Sequence, residues 1–370
     1  MERVLHIVGK WVGGGVEATI MNYYKNIDRN KIQFDFVIDK DSKYIPYEEI
    51  EKLGGKVFII SPYQKINKYR KELKQILTNN NYKIIHSHIN TLSFIPLKIA
   101  KELNIPVRIE HSHSTTNKIE FKKNILKQIL KNFSKKYSTH YFACSNYAAK
   151  FLFGNNITNN NKLYIMKNAI DKNKFSYNKK IRNEYRKKFN IDDDTLVIGH
   201  IGRFVKQKNH KFLINIFNEI VITNNNSLLI LTGSGPLEEK IKKQVNKFSL
   251  ENKVIFLGQR NDTNNLYQMF DLFLLPSLYE GLPVVGVEAQ VASLPCILSN
   301  EITDEIKLTN LVKFISLNEK PSFWAKETIK KYKNTKRKIL NIKTYDIEKE
   351  SKKLENKYLE MVNNYENNNN

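Results

Sequence analysis

The sequence alternates short apolar runs with amphipathic helical patterns, and this alternation limits the fold more than any other feature. Runs such as Val4–Val8, Phe34–Ile38 and Leu272–Leu275 contain at most one polar residue each. Helical patterns, for example Ile66–Leu77 and Leu237–Phe248, lie between such runs. Strands that are apolar on both faces and alternate with helices predict parallel sheets covered by helices on both sides, which is an α/β architecture.

The same pattern occurs twice along the chain. The polar stretch Asp171–Asp194 separates the two halves, and 370 residues are enough for two domains of ~150 residues each. We therefore predict a first α/β domain over residues 1–168 and a second over residues 169–345. We also predict that a last helix, residues 346–366, packs back on the first domain, and that the asparagine-rich tail 367–370 is disordered.

The chain is strongly basic, because 61 lysines and arginines against 37 acidic residues give a net charge of +24. Such a balance favours an anionic partner: nucleic acid, an anionic membrane surface or a phosphorylated substrate. A general bias towards Lys, Asn and Ile is the alternative explanation. The sequence has no RNA-recognition signature, zinc finger or basic-aromatic stripe, so we predict that nucleic acid is not the partner.

The sequence favours a cytoplasmic protein. It has no apolar run of the ~20 residues that a membrane-spanning helix needs, no signal-like start and only two cysteines. Peripheral attachment to the inner face of the cell membrane is compatible with the basic charge. Six lysines on one predicted helical segment are candidates for that contact, with a plain solvated face as the alternative: Lys122, Lys123, Lys127, Lys131, Lys135 and Lys136.

Functional residues are expected just after strands, because ligands of open parallel sheets bind outside the carboxyl ends of the strands. Gly13–Gly15 follows the first strand, where glycines let the backbone approach an anion at a helix N-terminus. Arg203 and Lys208 follow the strand Leu196–Ile201, and two such cations suit a diphosphate. The alternatives are a tight turn without a ligand and the chance occurrence of cations in so basic a chain.

The most specific motif follows the apolar strand Leu272–Leu275. Glu280 precedes Gly281 and Pro283, a helix-opening signature with Leu282 between them, and Glu288 lies eight residues after Glu280, inside the helix. Two carboxylates so placed suit hydroxyl groups of one ligand, and the two amides between them suit an anion. A partner of the helix dipole is the alternative for Glu280, and a solvated helix face is the alternative for Glu288. The apolar neighbours of Glu288 favour function, because a buried carboxylate is costly without a partner.

Four histidines form two His-Ser-His pairs, each after a strand of the first half: His86 with His88, and His111 with His113. Histidines two residues apart share a strand face and are able to ligate zinc, but no cysteine or carboxylate cluster completes a tetrahedral site. We therefore predict no metal, and favour a histidine that lines the cleft and donates to a sugar or phosphate oxygen. A capping or core-edge position is the alternative for each histidine.

Taken together, these pieces resemble the retaining nucleotide-sugar glycosyltransferases of family GT4 (group 1), which have the GT-B fold of two facing Rossmann-like domains. The resemblance extends to about residue 307 and rests on Gly13–Gly15, Gly202-Arg203 with Lys208, Gly233-Ser234-Gly235-Pro236, Val254–Gly258, the pair Glu280 and Glu288, and Lys167–Asp171 at the domain junction. The first loop and residues 302–324 look most like the transferases of bacterial exopolysaccharide and capsule clusters.

The resemblance implies a role for each matching residue. Arg203 and Lys208 would hold the donor diphosphate and stabilise the leaving nucleotide. Glu280 and the two amides that follow it would bind the donor sugar, and Glu288 would bind the ribose hydroxyls. The other matched residues would line the cleft: Gly14 and Gly15 near the sugar or acceptor, Gly258 to Arg260 beside the base, and His111, or alternatively His113, near the sugar.

The implied reaction moves a hexose from a UDP- or GDP-sugar to a glycan or lipid-linked acceptor in exopolysaccharide or capsule biosynthesis. In the mechanism commonly proposed for this family, the leaving phosphate takes the acceptor proton on the same face, and no metal or other cofactor is needed. Asn300–Thr303 stands where the family usually has a glycine-rich segment, and this leaves the sugar open. An epimerase or hydrolase of nucleotide sugars on the same fold is the alternative.

Overall fold

The computed structural model describes residues 1–113 and 136–367. These residues form two compact units, one from the described parts of Met1–Ala169 and Asp346–Asn370 and the other from Ile170–Tyr345. No helix among them is long and apolar enough to cross a membrane.

Two of the sequence predictions fall largely outside the described residues. Of the basic segment, the structure describes only Lys136, which is exposed. The tail beyond Asn367 also lies outside the described part, and Asn367 itself is the last residue of a helix.

The first unit contains a parallel sheet. Its strands are β1 (Glu2–Gly9), β2 (Ile32–Asp39), β3 (Val57–Ile60), β4 (Ile84–Ser87), β5 (Val107–Ser112), β6 (His140–Ala143) and β7 (Leu163–Ile165). In the described part of this unit they have the order β3-β2-β1-β4-β5-β6-β7, with every neighbouring pair parallel. The α-helices in the described part of this unit are α1 (Gly15–Asn26), α2 (Tyr47–Lys52), α3 (Ile66–Asn79), α4 (Phe94–Glu102), α5 (Asn146–Phe153) and, at the end of the chain, α13 (Ile347–Asn367).

Helices cover both faces of this sheet, and this is why its strands are apolar on both sides. Every residue of β2 is buried. In β1, Val4 faces a core that includes Tyr358 of α13, while Leu5 and Ile7 face a second core on the opposite side. His6 is two residues after Val4 and therefore points to the side of the sheet that α13 covers.

The last helix brings the chain back to the first unit. Leu354, Tyr358 and Met361 of α13 are buried in the same core as Ile20 of α1. The hydrophobic stripe of α13 therefore contributes to the stability of a unit whose other described residues come from the first half of the chain.

The second unit contains another parallel sheet. Its strands are β8 (Leu196–Ile201), β9 (Ser227–Thr232), β10 (Val254–Phe256), β11 (Leu272–Leu275), β12 (Cys296–Ser299) and β13 (Val312–Ile315). They have the order β10-β9-β8-β11-β12-β13. Its helices are α6 (Lys172–Phe175), α7 (Lys179–Lys188), α8 (His210–Thr223), α9 (Glu238–Lys247), α10 (Thr263–Met269), α11 (Val284–Val291) and α12 (Pro321–Lys333).

The strand order of the second sheet creates a crevice at its centre. The chain runs outward from β8 to β10, crosses back to pair β11 with β8, and then runs outward in the other direction to β13. β8 and β11 are neighbours and end at the same edge of the sheet, but the loop after β8 leads towards β9 on one side and the loop after β11 leads towards β12 on the other. In open α/β sheets this switch point is where ligands bind.

Candidate active site

The loops after β8 and β11 are joined by an ion pair at the switch point of the second unit. Lys208 Nζ lies 2.6 Å from Glu280 Oε1. Gln207 donates from its side-chain amide to Glu280 Oε2 at 3.1 Å, and the amide of Leu278 donates to the Gln207 carbonyl at 2.8 Å. Glu280 is buried, and Lys208 and Gln207 together compensate for its lost hydration.

The structure thus brings together a predicted diphosphate ligand and a predicted sugar ligand. Gln207, which the sequence analysis missed, is part of the same group. The only signal for it was its position beside Lys208 in a loop that follows a strand, and many polar residues of this chain share that kind of position.

Arg203 differs from Lys208 in having a free side chain. Its guanidinium makes no ion pair or hydrogen bond to any residue that the structure describes. It is partly exposed and comes two residues after the end of β8. A cation in this position can bind an anionic ligand without first breaking a contact within the protein.

Two glycines allow the loops after β8 and β9 to touch. A Cβ on Gly233 would lie 2.3 Å from the carbonyl oxygen of Gly202, and Gly233 also has a φ of +133°. A Cβ on Gly235 would lie 2.7 Å from backbone atoms of Phe204, whose amide donates to the Ser234 carbonyl at 3.0 Å. The Gly-Ser-Gly sequence is therefore needed to position the loop after β8, whatever ligand that loop holds.

The residues matched to the base follow β10. Gly258 has a φ of +63°, and its carbonyl accepts a hydrogen bond from the amide of Gly233 at 2.8 Å. Arg260 makes two hydrogen bonds to Asp262, at 2.8 and 2.7 Å, and these hold the pKa of Asp262 down at about 2. Arg260 is therefore fixed by its own loop, and the flat face of its guanidinium is suited to stacking on a ring.

Glu288 is buried in α11 and has a partner that the sequence did not indicate. Tyr267 of α10 donates from its hydroxyl to Glu288 Oε2 at 2.8 Å. Burial raises the pKa of Glu288 to about 7, while the Tyr267 hydrogen bond and the charge of Lys174 oppose the rise. Tyr267 was missed because an aromatic residue in a short helix is usually part of the core. Gly281 and Leu282 are both buried in the segment that leads into α11.

The glycine loop of the first unit is held by a carboxylate. Glu17 of α1 accepts hydrogen bonds from the amides of Val12, at 2.8 Å, and Gly14, at 3.1 Å. Gly14 is the N-cap of α1 and Gly15 its first residue. The amide of Gly14 is thus occupied within the loop. The sequence signal for Glu17 was an acidic residue three positions after a helix N-cap.

The four predicted histidines lie on one face of the first sheet. His111 is fully buried, with its Nδ1 2.9 Å from His86 Nε2. His113 directly follows β5 and is partly exposed, with its Nε2 2.7 Å from His88 Nδ1. Burial lowers the pKa of His111 well below its ordinary value and that of His113 to about 3. Of the two histidines that the sequence left open, His113 is nearer the surface.

Two family descriptions match the chain. "Glycosyltransferase Family 4" matches residues 13–174, and "Glycosyl transferases group 1" matches residues 181–305. The second match contains the ion pair at the switch point, the Gly-Ser-Gly loop and both predicted carboxylates.

Curated relatives match over most of the chain. A protein of Bacillus subtilis named putative glycosyltransferase EpsF is 34% identical over 337 residues, covering 89% of this chain and 87% of that protein. An Escherichia coli protein named UDP-Gal:alpha-D-GlcNAc-diphosphoundecaprenol alpha-1,3-galactosyltransferase is 26% identical over 305 residues, covering 78% of each chain.

The fold is that of solved glycosyltransferase structures. The crystal structure of Anabaena HepE in complex with UDP and glucose has a TM-score of 0.75 to this chain, at 17% identity, covering 96% of this chain and 95% of that one. At this identity the likeness concerns the fold alone, and it confirms the predicted GT-B fold.

Proposed function

The chain belongs to the group 1 glycosyltransferases of family 4, and from that premise we propose that it moves a hexose from a UDP-sugar to a lipid-linked glycan, with retention of anomeric configuration. The predicted family and the predicted glycosyltransferase activity are both confirmed by the relatives. The donor base, the acceptor and the stereochemistry are parts of the proposal.

The observation that carries the proposal is the arrangement of charges at the switch point of the second unit. A sugar diphosphate needs cations for its phosphates and acceptors for its hydroxyls. Lys208 is held beside Glu280, and Arg203 has a free guanidinium in the same loop as Lys208. Arg203 supplies a fork of donors to the diphosphate and Lys208 a point charge, while the Glu280 carboxylate accepts from sugar hydroxyls.

The nucleoside part of the donor is assigned to the residues around α11. Glu288 accepts hydrogen bonds from the ribose hydroxyls when it is ionised, and Tyr267 keeps its carboxylate in place. Arg260, fixed by Asp262, lies beside the base. Uracil is favoured as the base because the solved HepE structure contains UDP and the name of the E. coli relative specifies UDP-Gal.

The proposed reaction requires no base from the protein. The bond between the sugar C1 and the β-phosphate oxygen breaks, and a bond from the acceptor oxygen to C1 forms on the same face. The acceptor proton passes to an oxygen of the departing diphosphate. Arg203 and Lys208 stabilise the negative charge that grows on that diphosphate, which lowers the barrier without a metal ion.

The first test uses Arg203→Ala with Lys206→Ala as the matched control. Lys206 is an exposed cation of the same loop. A charge-assisted hydrogen bond contributes about 1.5–3 kcal/mol, so loss of Arg203 should weaken UDP binding roughly 10- to 100-fold. Because the Arg203 side chain makes no hydrogen bond or ion pair to a described residue, the variant should keep the melting temperature of the unliganded protein. If Arg203→Ala bound UDP with the affinity of the wild type, the assignment of Arg203 to the diphosphate would be refuted. If GDP but not UDP raised the melting temperature of the wild-type protein, the assignment of uracil as the donor base would be refuted.

The second test follows the sugar. Purified protein is incubated with radiolabelled UDP-hexose and a membrane lipid extract, and the anomeric configuration of the product is read by NMR. Label in the lipid phase with a retained anomer is expected. Free hexose or an epimerised nucleotide sugar, formed at the same rate without acceptor, would show instead a hydrolase or epimerase. An inverted product would refute the stereochemistry alone.

The basic charge suits docking at an anionic membrane surface, where each well-placed Lys or Arg contributes about 1 kcal/mol. Sedimentation with phosphatidylglycerol vesicles should therefore be strong at low salt and weak at high salt. Equal binding to neutral phosphatidylcholine vesicles would count against this part of the proposal.

A further inference from the structure

The first unit contains a histidine cluster whose members lie on three adjacent strands: His6 on β1, His86 and His88 on or just after β4, and His111 and His113 on or just after β5. All of them except the partly exposed His113 are buried. His6 pairs in register with His86. Residues two apart on a strand share a face, so the register places all five imidazoles on the side of the sheet that α13 covers.

The imidazoles contact one another in two chains. In the first chain, His6 Nδ1 lies 2.8 Å from His88 Nε2, and His88 Nδ1 lies 2.7 Å from His113 Nε2. In the second chain, His111 Nδ1 lies 2.9 Å from His86 Nε2, and His86 Nδ1 lies 2.6 Å from the Tyr358 hydroxyl.

Two ring nitrogens of the cluster have no hydrogen-bond partner among residues 1–113 and 136–367. His6 Nε2 and His111 Nε2 are both buried without one. Aromatic rings surround the cluster, with Phe34 4.1 Å from His6 and Phe142 4.9 Å from His86 between ring centroids. An unsatisfied nitrogen in such a place is destabilising, and a missing ion is one of the accepted reasons for such a group.

We propose that His88, His111 and His113 bind one divalent transition-metal ion, with Zn²⁺ as the best fit. One nitrogen from each of these three lies within 4.8 Å of the others. Zn–N bonds of about 2.0–2.1 Å in a tetrahedral site would place the nitrogens ~3.3 Å apart. Binding an ion therefore requires the rings of His111 and His113, which are stacked with centroids 3.8 Å apart, to turn away from each other. Three imidazoles suit zinc, nickel, copper or cobalt, and leave a fourth position for water.

A second group of three, formed by His6, His86 and His88, also brings its nitrogens within 4.8 Å. It shares His88 with the first group, so the two cannot both be complete at once. His113 decides between them, because it is the partly exposed member of the cluster and gives an ion a route in, whereas every member of the second group is fully buried.

The test measures metal content rather than turnover, so its outcome is independent of the proposed function. The full-length protein is stripped with a chelator, mixed with Zn²⁺, desalted and analysed by mass spectrometry. We expect one retained ion per chain and a higher melting temperature than that of the stripped protein. Co²⁺ should give the visible absorption of a tetrahedral nitrogen site. A wild-type chain that retains no ion would overturn the proposal.

Three variants and one control locate the ion. His113→Ala should bind Zn²⁺ at least tenfold more weakly, and His113→Gln, which keeps a hydrogen-bonding side chain, should do the same if the loss is one of ligation rather than folding. His140→Ala, a histidine of β6 outside the cluster, is the matched control and should retain the ion. Undiminished zinc in both His113 variants would overturn the assignment. Loss of zinc in His6→Phe, with retention in His113→Gln, would overturn it in favour of the deeper group.

Discussion

Neutralising Glu288 should stabilise the unliganded protein at high pH while impairing its binding of donor. Burial raises the pKa of this carboxyl from its ordinary 4.5 to about 7. Between these two values the folded protein holds a proton that the unfolded chain has released. Stability therefore falls as pH rises through this window, and the penalty is complete above about pH 7. At 1.36 kcal/mol per pKa unit, its upper limit is about 3 kcal/mol.

The substitution Glu288→Gln removes the titration while keeping the shape of the side chain and an oxygen that accepts from Tyr267. The variant and the wild type should therefore have similar stability near pH 5. At pH 8 the variant should be more stable by up to about 3 kcal/mol. For a domain of ~150–250 residues this corresponds to a melting-temperature difference of about 6–12 °C.

Differential scanning calorimetry from pH 5 to pH 8 measures the difference in stability between the variant and the wild type. The unfolding transition to be followed is the one whose temperature rises when nucleotide is added. Glu251→Gln, at an exposed carboxylate of the same unit, is the control and should differ from wild type by a constant amount across this range. A difference in melting temperature between Glu288→Gln and the wild type that does not change with pH would refute the reasoning. So would a variant that becomes less stable relative to wild type as the pH rises.

Further predictions concern backbone and core positions. Gly258→Ala should destabilise the protein by only about 1–2 kcal/mol, because its φ is positive but nothing lies within 4 Å of the added Cβ. Gly233→Ala should destabilise it more and abolish the UDP-induced thermal shift, since the Cβ would strike the Gly202 carbonyl; equal melting temperatures for the two variants would contradict this. Tyr358→Phe should cost about 1–3 kcal/mol in urea unfolding, because His86 Nδ1 loses its partner, and an unchanged midpoint would argue against that hydrogen bond.

The sequence predicted well where the signal is local. Parallel strands buried on both faces tend to be continuous apolar runs, and this held for β11. Every residue of β2 and β8 is buried too, but β2 includes Gln33, Asp35 and Asp39, and β8 includes His200. The polar residues matched by the family resemblance in the second unit lie in the loops after strands or, for Glu288, inside the helix that follows, because the carboxyl ends of parallel strands meet at one edge of a sheet. Periodicity and loop composition indicated Arg203, Lys208, Glu280 and Glu288, whereas Gly258 and Arg260 came from the family resemblance alone.

The partners of those residues could not be predicted, because pairing across loops depends on which strands are neighbours. Gln207 and Lys208 meet Glu280 only because β8 pairs with β11, three strands later in the chain. Tyr267 meets Glu288 through the packing of two short helices. Nothing in the local sequence around Tyr267 or Gln207 distinguishes these two residues from the many other tyrosines and glutamines of the chain.

The histidines show which features follow from the local sequence and which depend on the tertiary structure. The spacing of each His-Ser-His pair, by itself, determined that both rings of the pair share one face of a strand, since side chains alternate with a period of two. Only the strand order and register determined that β1, β4 and β5 are adjacent. This brought His6 into the group and left two ring nitrogens buried without a partner in the described part of the chain. Which strands become neighbours is decided by how whole helices and sheets bury their apolar faces, and that is a property of the complete chain rather than of any motif.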